Sequence, residues 1–210
     1  MTSPIMFKNR EDAGRQLSDK LKQYRGTDTV VLALPRGGVV VGHEISQALD
    51  LPLDIVVTRK IGHPSNPEYA ICAVDEKGTL LCDEAERKMI SESWLKEEVE
   101  RQKKEAKRRL HLYRGNKKPI KIKGKNVILT DDGVATGLTM QLAILAIKAQ
   151  KPQRVIVAVP VAPSEVVGDL KKKTDELIVL MPPKEFAGAV GAHFQEFGQI
   201  EDEEVVQLLG

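Results

Sequence analysis

With 210 residues, 41% hydrophobic and 30% charged, the chain can bury a core of its own, which excludes wholesale disorder. Aromatics are only 4%, so the core must be aliphatic and no extended stacking platform is available. Lys+Arg 32 against Asp+Glu 30 leave a net charge of +2, which neither demands a nucleic acid nor excludes one.

From Arg10 to Tyr24 a polar segment carries Ala13, Leu17 and Leu21 at four-residue spacing, the narrow apolar stripe of a surface helix. Thr29 to Leu34 reads as a strand that stops at Pro35-Arg36-Gly37-Gly38, and the VVVGHEISQAL run behind it reads as a helix. Asp54 to Thr58 is a second short apolar run, so a parallel strand pair with a crossover helix is expected. Arg59 to Ala70, with two prolines and a glycine, has no periodicity and reads as a mobile loop. Ile71 to Val74 and Thr79 to Leu81 flank a turn composition and predict a small hairpin. One long helix is expected from Asp83, its N-cap, to about Tyr113.

Asn126 to Thr130, a helix from Leu138 to Ala149, Arg154 to Val159, a helix from Ser164 and Glu176 to Leu180 resume the alternation. Together these predict an α/β fold, a doubly wound, mainly parallel five-stranded sheet covered by helices. A single domain over 1–210 is expected, with an insertion at 59–125 and a C-terminal segment at 181–210. Cys72 and Cys82 are too few for a disulfide framework and have no metal-ligand spacing, which points to a reduced, cytoplasmic protein. The polar N-terminus and the lack of any apolar run near the ~20 residues of a membrane span indicate neither export nor insertion.

Chemistry concentrates in Val127 to Thr139, VILTDDGVATGLT. A buried strand delivers Asp131 and Asp132 to its C-terminal edge, where open α/β sheets bind ligands. Gly133 and Gly137 permit the tight backbone through which successive N–H groups converge on an anion at a helix N-terminus, and Thr136 and Thr139 add hydroxyls. The loop suits a phosphate monoester, with the carboxylates beside it for hydroxyl groups. The Walker template fails, because His43-Glu44 follow Gly37 to Gly42 where Lys-Ser/Thr is required, and no GxGxxG or GxSxG occurs.

This stretch closely resembles the 13-residue signature of type I phosphoribosyltransferases, which bind 5-phosphoribosyl-1-pyrophosphate (PRPP), and the order of elements agrees from about Thr29 to Phe197. The resemblance implies that Asp131 and Asp132 bond the ribose hydroxyls and that Gly133, Val134, Ala135, Thr136, Gly137, Leu138 and Thr139 hold the 5-phosphate. It implies that Pro35, Arg36, Gly37 and Gly38 form the pyrophosphate loop, with Arg36 supplying charge. Lys60 corresponds to the flexible catalytic loop, in which Arg59 or Lys60 would assist the leaving group, with His63, Asn66 and Glu68 as further lid residues. Mg²⁺ is the expected cofactor, held mainly by PRPP and water and within reach of Asp131 and Asp132. A homodimer and a nucleobase-like acceptor are the expected partners.

Ala135 stands where 6-oxopurine enzymes of the family place an aspartate, which argues against hypoxanthine or guanine. The hood is expected from Met181 onward, where Phe186 either stacks on a flat base or fills the core. His43, His111 and His193 are read as structural. A different reading makes the chain a PRPP sensor that binds nucleic acid, because Lys96 to Lys125 holds 13 basic against 4 acidic residues.

Overall fold

A computed structural model describes residues 7–181 and 186–210. The part of the hood at 182–185, and the side chain of Glu68, lie outside the described residues. In chain order the elements begin with α1 (Arg10–Lys20), β1 (Thr29–Ala33), α2 (Gly37–Leu49), β2 (Leu53–Ile55), β3 (Thr58–His63), β4 (Asn66–Asp75) and β5 (Leu80–Cys82). Then come α3 (Glu84–Arg87), α4 (Glu92–Arg114), β6 (Asn126–Thr130), α5 (Leu138–Lys148), β7 (Arg154–Val159), α6 (Ser164–Lys173), β8 (Glu176–Val179) and α7 (Asp202–Leu208).

Five strands form one sheet in the order β2-β1-β6-β7-β8, and every pairing in it is parallel. The pleat sends alternate residues to opposite faces. Val30, Leu32, Val127, Leu129, Val155 and Val157 pack with Met140, Ile144 and Leu170 of α5 and α6. Val31, Ile128 and Ile156 pack on the other face with Leu17 of α1 and Val41, Ile45 and Leu49 of α2. Both faces are therefore apolar, so the strands are continuous apolar runs without alternation in sequence. The doubly wound α/β sheet expected from those runs is the one observed.

The insertion differs from its sequence expectation. Arg59, Lys60, Asn66 and Glu68 do not lie in a flexible loop: β3 and β4 pair antiparallel, with Lys60 opposite Ala73 and Ile61 opposite Cys72. The register shifts on either side of Gly62, where a Cβ would lie 2.1 Å from the Pro67 carbonyl oxygen. This crossing needs a glycine and breaks the period of two, so the strands leave no alternation to read. The β4–β5 hairpin forms as expected and sets Cys72 opposite Cys82. The two are joined in a disulfide, which corrects the expectation of reduced thiols. Their pairing depends on strand register, which a separation of ten residues does not reveal.

The single helix expected from Asp83 is two helices. The Asp83 carboxylate caps only the short α3, accepting from the Ala85 and Glu86 N–H groups. Ser91, in extended conformation (φ −64°, ψ 131°), begins α4. The first part of α4 covers the hairpin sheet through Trp94, Leu95 and Val99. Its later turns reach Ile55, Val57 and Val205 through Ala106 and Tyr113.

The C-terminal end of α4 is anchored by a buried ion pair. Asp54, 8% exposed, accepts from Arg114 Nε and Nη2 at 3.2 and 3.0 Å and from the N–H groups of Ile55 and Ile120 at 2.8 and 2.9 Å. Asp54→Ala leaves two amide donors without their acceptor and takes the carboxylate from the guanidinium, which keeps only the neutral Ile55 carbonyl, 3.2 Å from Nη2, among the described residues. It is expected to lower stability by about 3 kcal/mol in urea denaturation, since removing one partner of a buried pair costs about that much. A change below about 0.5 kcal/mol would contradict this account of the anchor.

Among the described residues no helix is long and apolar enough to cross a membrane.

Candidate active site

β1 and β6 are parallel neighbours, with Ala33 opposite Thr130, so the chain leaves both strands at the same sheet edge. The Leu34 N–H donates to the Thr130 carbonyl at 3.0 Å, carrying the pairing one residue past β1. The Thr130 side chain is turned inward, its hydroxyl donating to the Ala158 carbonyl at 2.7 Å. Pro35 to Gly38 and Asp131 to Thr139 therefore emerge side by side, which is how residues about a hundred positions apart come to share one site.

The two glycines after Arg36 bring the loops into contact. A Cβ on Gly37 would lie 1.9 Å from Asp132 Oδ2, and one on Gly38 would lie 2.8 Å from the Asp131 Cα. Only a residue without a side chain allows the start of α2 to rest on the carboxylates. The Pro35–Arg36 peptide is cis.

Asp131 and Asp132 keep an exposed edge, but their carboxyl groups are crowded by protein. Asp131 Oδ1 accepts from the Asp132 N–H at 2.8 Å. Burial, then the neighbouring Asp132 charge, pushes the Asp131 carboxyl well above the usual carboxylate range. Burial also raises Asp132, with the Arg10 guanidinium acting in the opposite direction. Arg10 was not among the residues expected from sequence. It is the first residue of α1, is 8% exposed, and donates from Nε to Asp132 Oδ2 at 2.7 Å.

Beyond the carboxylates, the Val134 N–H donates to the Val161 carbonyl at 2.9 Å and anchors the loop, while Ala135 and Thr136 are exposed. Gly137, at φ +80°, takes the left-handed conformation at the N-cap of α5. Among the described residues, the N–H groups of Ala135, Thr136, Gly137, Leu138, Thr139 and Met140 have no protein acceptor. They are open donors at the positive end of a helix, the arrangement that binds an anion. Gly133 is required for packing: a Cβ there would lie 2.4 Å from Val190 Cγ1.

Arg36 begins α2, and its guanidinium is 3.6 Å from Asp202 Oδ1 and 3.7 Å from Glu201 Oε2, both at the start of α7. Asp202 also accepts from the Tyr113 hydroxyl at 2.6 Å. That hydrogen bond, with the surrounding arginines, holds the Asp202 carboxyl below its ordinary range.

The hairpin residues lie elsewhere. Arg59 turns to α4 and donates to Gln102 Oε1 at 3.0 Å, and burial, followed by the Arg109 charge, lowers its pKa. Lys60 lines a cavity of about 470 Å³ with His63, Trp94, Glu98 and Arg101, to which neither loop of the sheet edge contributes. Asn66 is exposed beside the hairpin turn. Phe186 packs 5.3 Å from the His193 ring, within the cluster of Phe7, Met181 and Phe194. His193 is fully buried and accepts from the Ala187 N–H at 3.0 Å, and His43 Nδ1 lies 3.0 Å from the Leu208 carbonyl, both structural positions.

Residues 6–194 match the model of the phosphoribosyl transferase domain family. Two Mycobacterium tuberculosis proteins, from strains CDC 1551 and H37Rv and provisionally named phosphoribosyl transferases, are 38% identical over 206 residues. The match covers 97% of this chain and 46% of theirs, so the chain spans about half the length of these curated relatives. The crystal structure of TT1426 from Thermus thermophilus superposes with a TM-score of 0.80 at 41% identity, covering 97% of each chain.

Proposed function

The chain belongs to the phosphoribosyl transferase domain family, and from that premise we propose that it transfers the 5-phosphoribosyl group of PRPP to a nitrogenous acceptor, a nucleobase in kind, and releases pyrophosphate. One observation carries this reading: two glycines press the start of α2 against an acid pair whose next residues are open amide donors at a helix N-terminus. Sugar hydroxyls, a phosphate monoester and a second anion then have adjacent recognition groups of the right polarity.

In this mechanism Asp131 and Asp132 accept hydrogen bonds from the ribose 2- and 3-hydroxyls. The N–H groups of Ala135 to Thr139, with the Thr136 and Thr139 hydroxyls, hold the 5-phosphate and fix the ring. The bond from the anomeric carbon to pyrophosphate breaks with its electron pair leaving on oxygen, a bond to the acceptor nitrogen forms, and the acceptor's N–H proton is released. The transition state is oxocarbenium-like. Arg36 and the backbone of Gly37 and Gly38 oppose the charge that grows on the departing pyrophosphate.

The residues present fit Mg²⁺ as the family uses it. Among the described residues no three His, Cys, Asp or Glu side chains gather into a cage, but an acid pair beside an anion loop suits a cation that keeps most of its waters. Asp131 and Asp132 would share it, and when bound it neutralises phosphate charge.

Ala135 offers no carboxylate to a purine ring, so adenine, pyrimidines and amines come ahead of hypoxanthine and guanine as acceptors. The nucleic-acid alternative has no comparable support. Arg101, Lys103, Arg108 and Arg109 of α4 each pair with Glu98, Glu100 or Glu105 on the same helix.

The test is incubation with PRPP, Mg²⁺ and a panel of purines, pyrimidines and amines, following pyrophosphate release and the ribosylated product. Turnover with one acceptor class supports transfer. PRPP binding with no turnover on any acceptor would sink the enzymatic reading. In the same assay Arg36→Ala is expected to weaken pyrophosphate binding about tenfold, as loss of a charge-assisted contact does, while ribose 5-phosphate binding is unchanged. Equal loss of both ligands would contradict the role given to Arg36.

A further inference from the structure

Arg10 sits where three parts of the fold meet. Its Nε donates to Asp132 Oδ2 at 2.7 Å, its Nη1 donates to the Gly198 carbonyl at 2.7 Å, and the guanidinium lies 3.7 Å from the centroid of the Phe197 ring. The Phe197 ring in turn packs 4.9 Å from Phe194. Asn9 caps α1 by accepting from the Asp12 N–H, which sets the direction from which Arg10 leaves the helix. A guanidinium is a planar fork with donors at fixed angles, so contacts on two edges and one face leave it a single orientation.

The orientation of Arg10 determines that of Asp132. On the other side of the pair, a Cβ at Gly37 would lie 2.7 Å from Arg10 Nε as well as 1.9 Å from Asp132 Oδ2, so α2 closes on the ion pair itself. Asp132 cannot turn about its side-chain bonds without breaking a 2.7 Å charged hydrogen bond that is largely out of water. Arg10 occupies Oδ2 and leaves Oδ1 as the oxygen it does not engage.

We propose that Arg10 is a positioning residue: it selects the carboxylate oxygen that Asp132 offers to a ribose hydroxyl and fastens Phe197 and Gly198 to that same carboxylate. The inference rests on the phosphoribosyl reading above and extends it to a residue 122 positions from the acid pair. Among the described residues, the Arg10 side chain has hydrogen bonds to Asp132 and Gly198 and none to the phosphate loop or to Arg36. Its loss should therefore weaken the sugar subsite more than the pyrophosphate subsite, whose Gly37 only packs against the ion pair, whereas a general loosening of the fold would weaken both alike.

The test measures binding of ribose 5-phosphate, and separately of inorganic pyrophosphate without Mg²⁺, by calorimetry. The proteins are wild type, Arg10→Lys, Arg10→Gln, and Arg10→Gln combined with Asp132→Asn. Arg10→Gln is expected to weaken ribose 5-phosphate about tenfold and pyrophosphate less than about twofold, with Arg10→Lys recovering part of the loss. Beside Asp132→Asn the further cost of Arg10→Gln should vanish, because with Arg10 on the amide oxygen the group left for the ribose hydroxyl is an NH2, which cannot accept, so Arg10 no longer presents an acceptor there. Unchanged ribose 5-phosphate affinity in Arg10→Gln would overturn the proposal. So would an equal loss of both ligands, or a full tenfold cost persisting beside Asp132→Asn. If Arg10→Gln does not fold, Arg10→Lys carries the comparison, and its pyrophosphate-to-ribose selectivity decides. Failure of the wild type to bind either PRPP or ribose 5-phosphate is a different outcome: it would overturn the phosphoribosyl reading itself and this inference with it.

Discussion

Asp131→Asn combined with Asp132→Asn is expected to remove PRPP binding while leaving the chain folded. Each carboxylate is assigned a hydrogen bond to a ribose hydroxyl, and hydrogen bonds to a charged group are worth about 1.5–3 kcal/mol each, so the pair accounts for roughly a 10²- to 10⁴-fold change in affinity. Asp131 opposes the fold. Folding raises the Asp131 pKa through burial and through the charge of Asp132. The folded state thus holds this proton more tightly than the unfolded chain does. Above the folded pKa the ionised carboxylate is destabilising, and that penalty shrinks as the pH falls from the folded pKa towards the unfolded value. An asparagine side chain carries no charge to bury, so thermal unfolding of the unliganded double variant at pH 8 should occur at the same temperature as wild type or higher. After Asp132→Asn the new amide oxygen can still accept from Arg10 Nε, which keeps the 2.7 Å contact geometry available. A folded double variant with normal PRPP affinity would remove the ribose assignment. An unfolded one would show that the pair is structural after all.

Gly38→Ala should be nearly as damaging, for a steric reason. Gly38 lies in the first turn of α2, where helix propensity alone favours alanine by up to about 1 kcal/mol. The surroundings reverse that sign. The new methyl would stand 2.8 Å from the Asp131 Cα and 3.2 Å from the Thr130 carbonyl oxygen, both backbone atoms of a central strand and its outgoing loop. Neither can rotate away, so α2 must retreat from the acid pair. We expect a loss of about 1–3 kcal/mol of stability, the usual cost of forcing an extra methyl into a packed position. PRPP binding should fall beyond detection, because the pyrophosphate loop leaves the site with the helix. Gly168→Ala is the matched control: it lies in α6 with no atom within 4 Å of the added Cβ and should gain about 0.5–1 kcal/mol. A Gly38→Ala protein with wild-type affinity would show that the close approach of α2 is not part of the site.

The central sheet was legible because a strand buried on both faces must be an unbroken apolar run, and TVVLA, NVILT and RVIVAV are such runs. The acid pair and the loop behind it were legible for a related reason: Asp131, Gly133, Thr136 and Gly137 are close together in sequence, so one stretch of chain carries their whole pattern. What was missed depends on contacts between distant segments. Arg10 looks like any charge on a polar helix until the fold brings it to Asp132. The β3–β4 hairpin was hidden by the register shifts at Gly62 and by Pro67, which interrupt the alternation that would mark a strand. Lys60 was placed over the site by its position in the chain, but it lies on that hairpin, lining a cavity with α4. The break between α3 and α4 was obscured because the apolar residues around it, Ile90 and Trp94, both pack on the hairpin sheet and keep a helical spacing across the gap.

The most direct measurement is calorimetric titration of the full chain with PRPP in the presence of Mg²⁺ and without any acceptor. The site at the sheet edge predicts saturable binding at one site per chain, competed by both pyrophosphate and ribose 5-phosphate, because each fills half of it. No saturable heat at PRPP concentrations up to about 1 mM, or binding that neither competitor displaces, would contradict it.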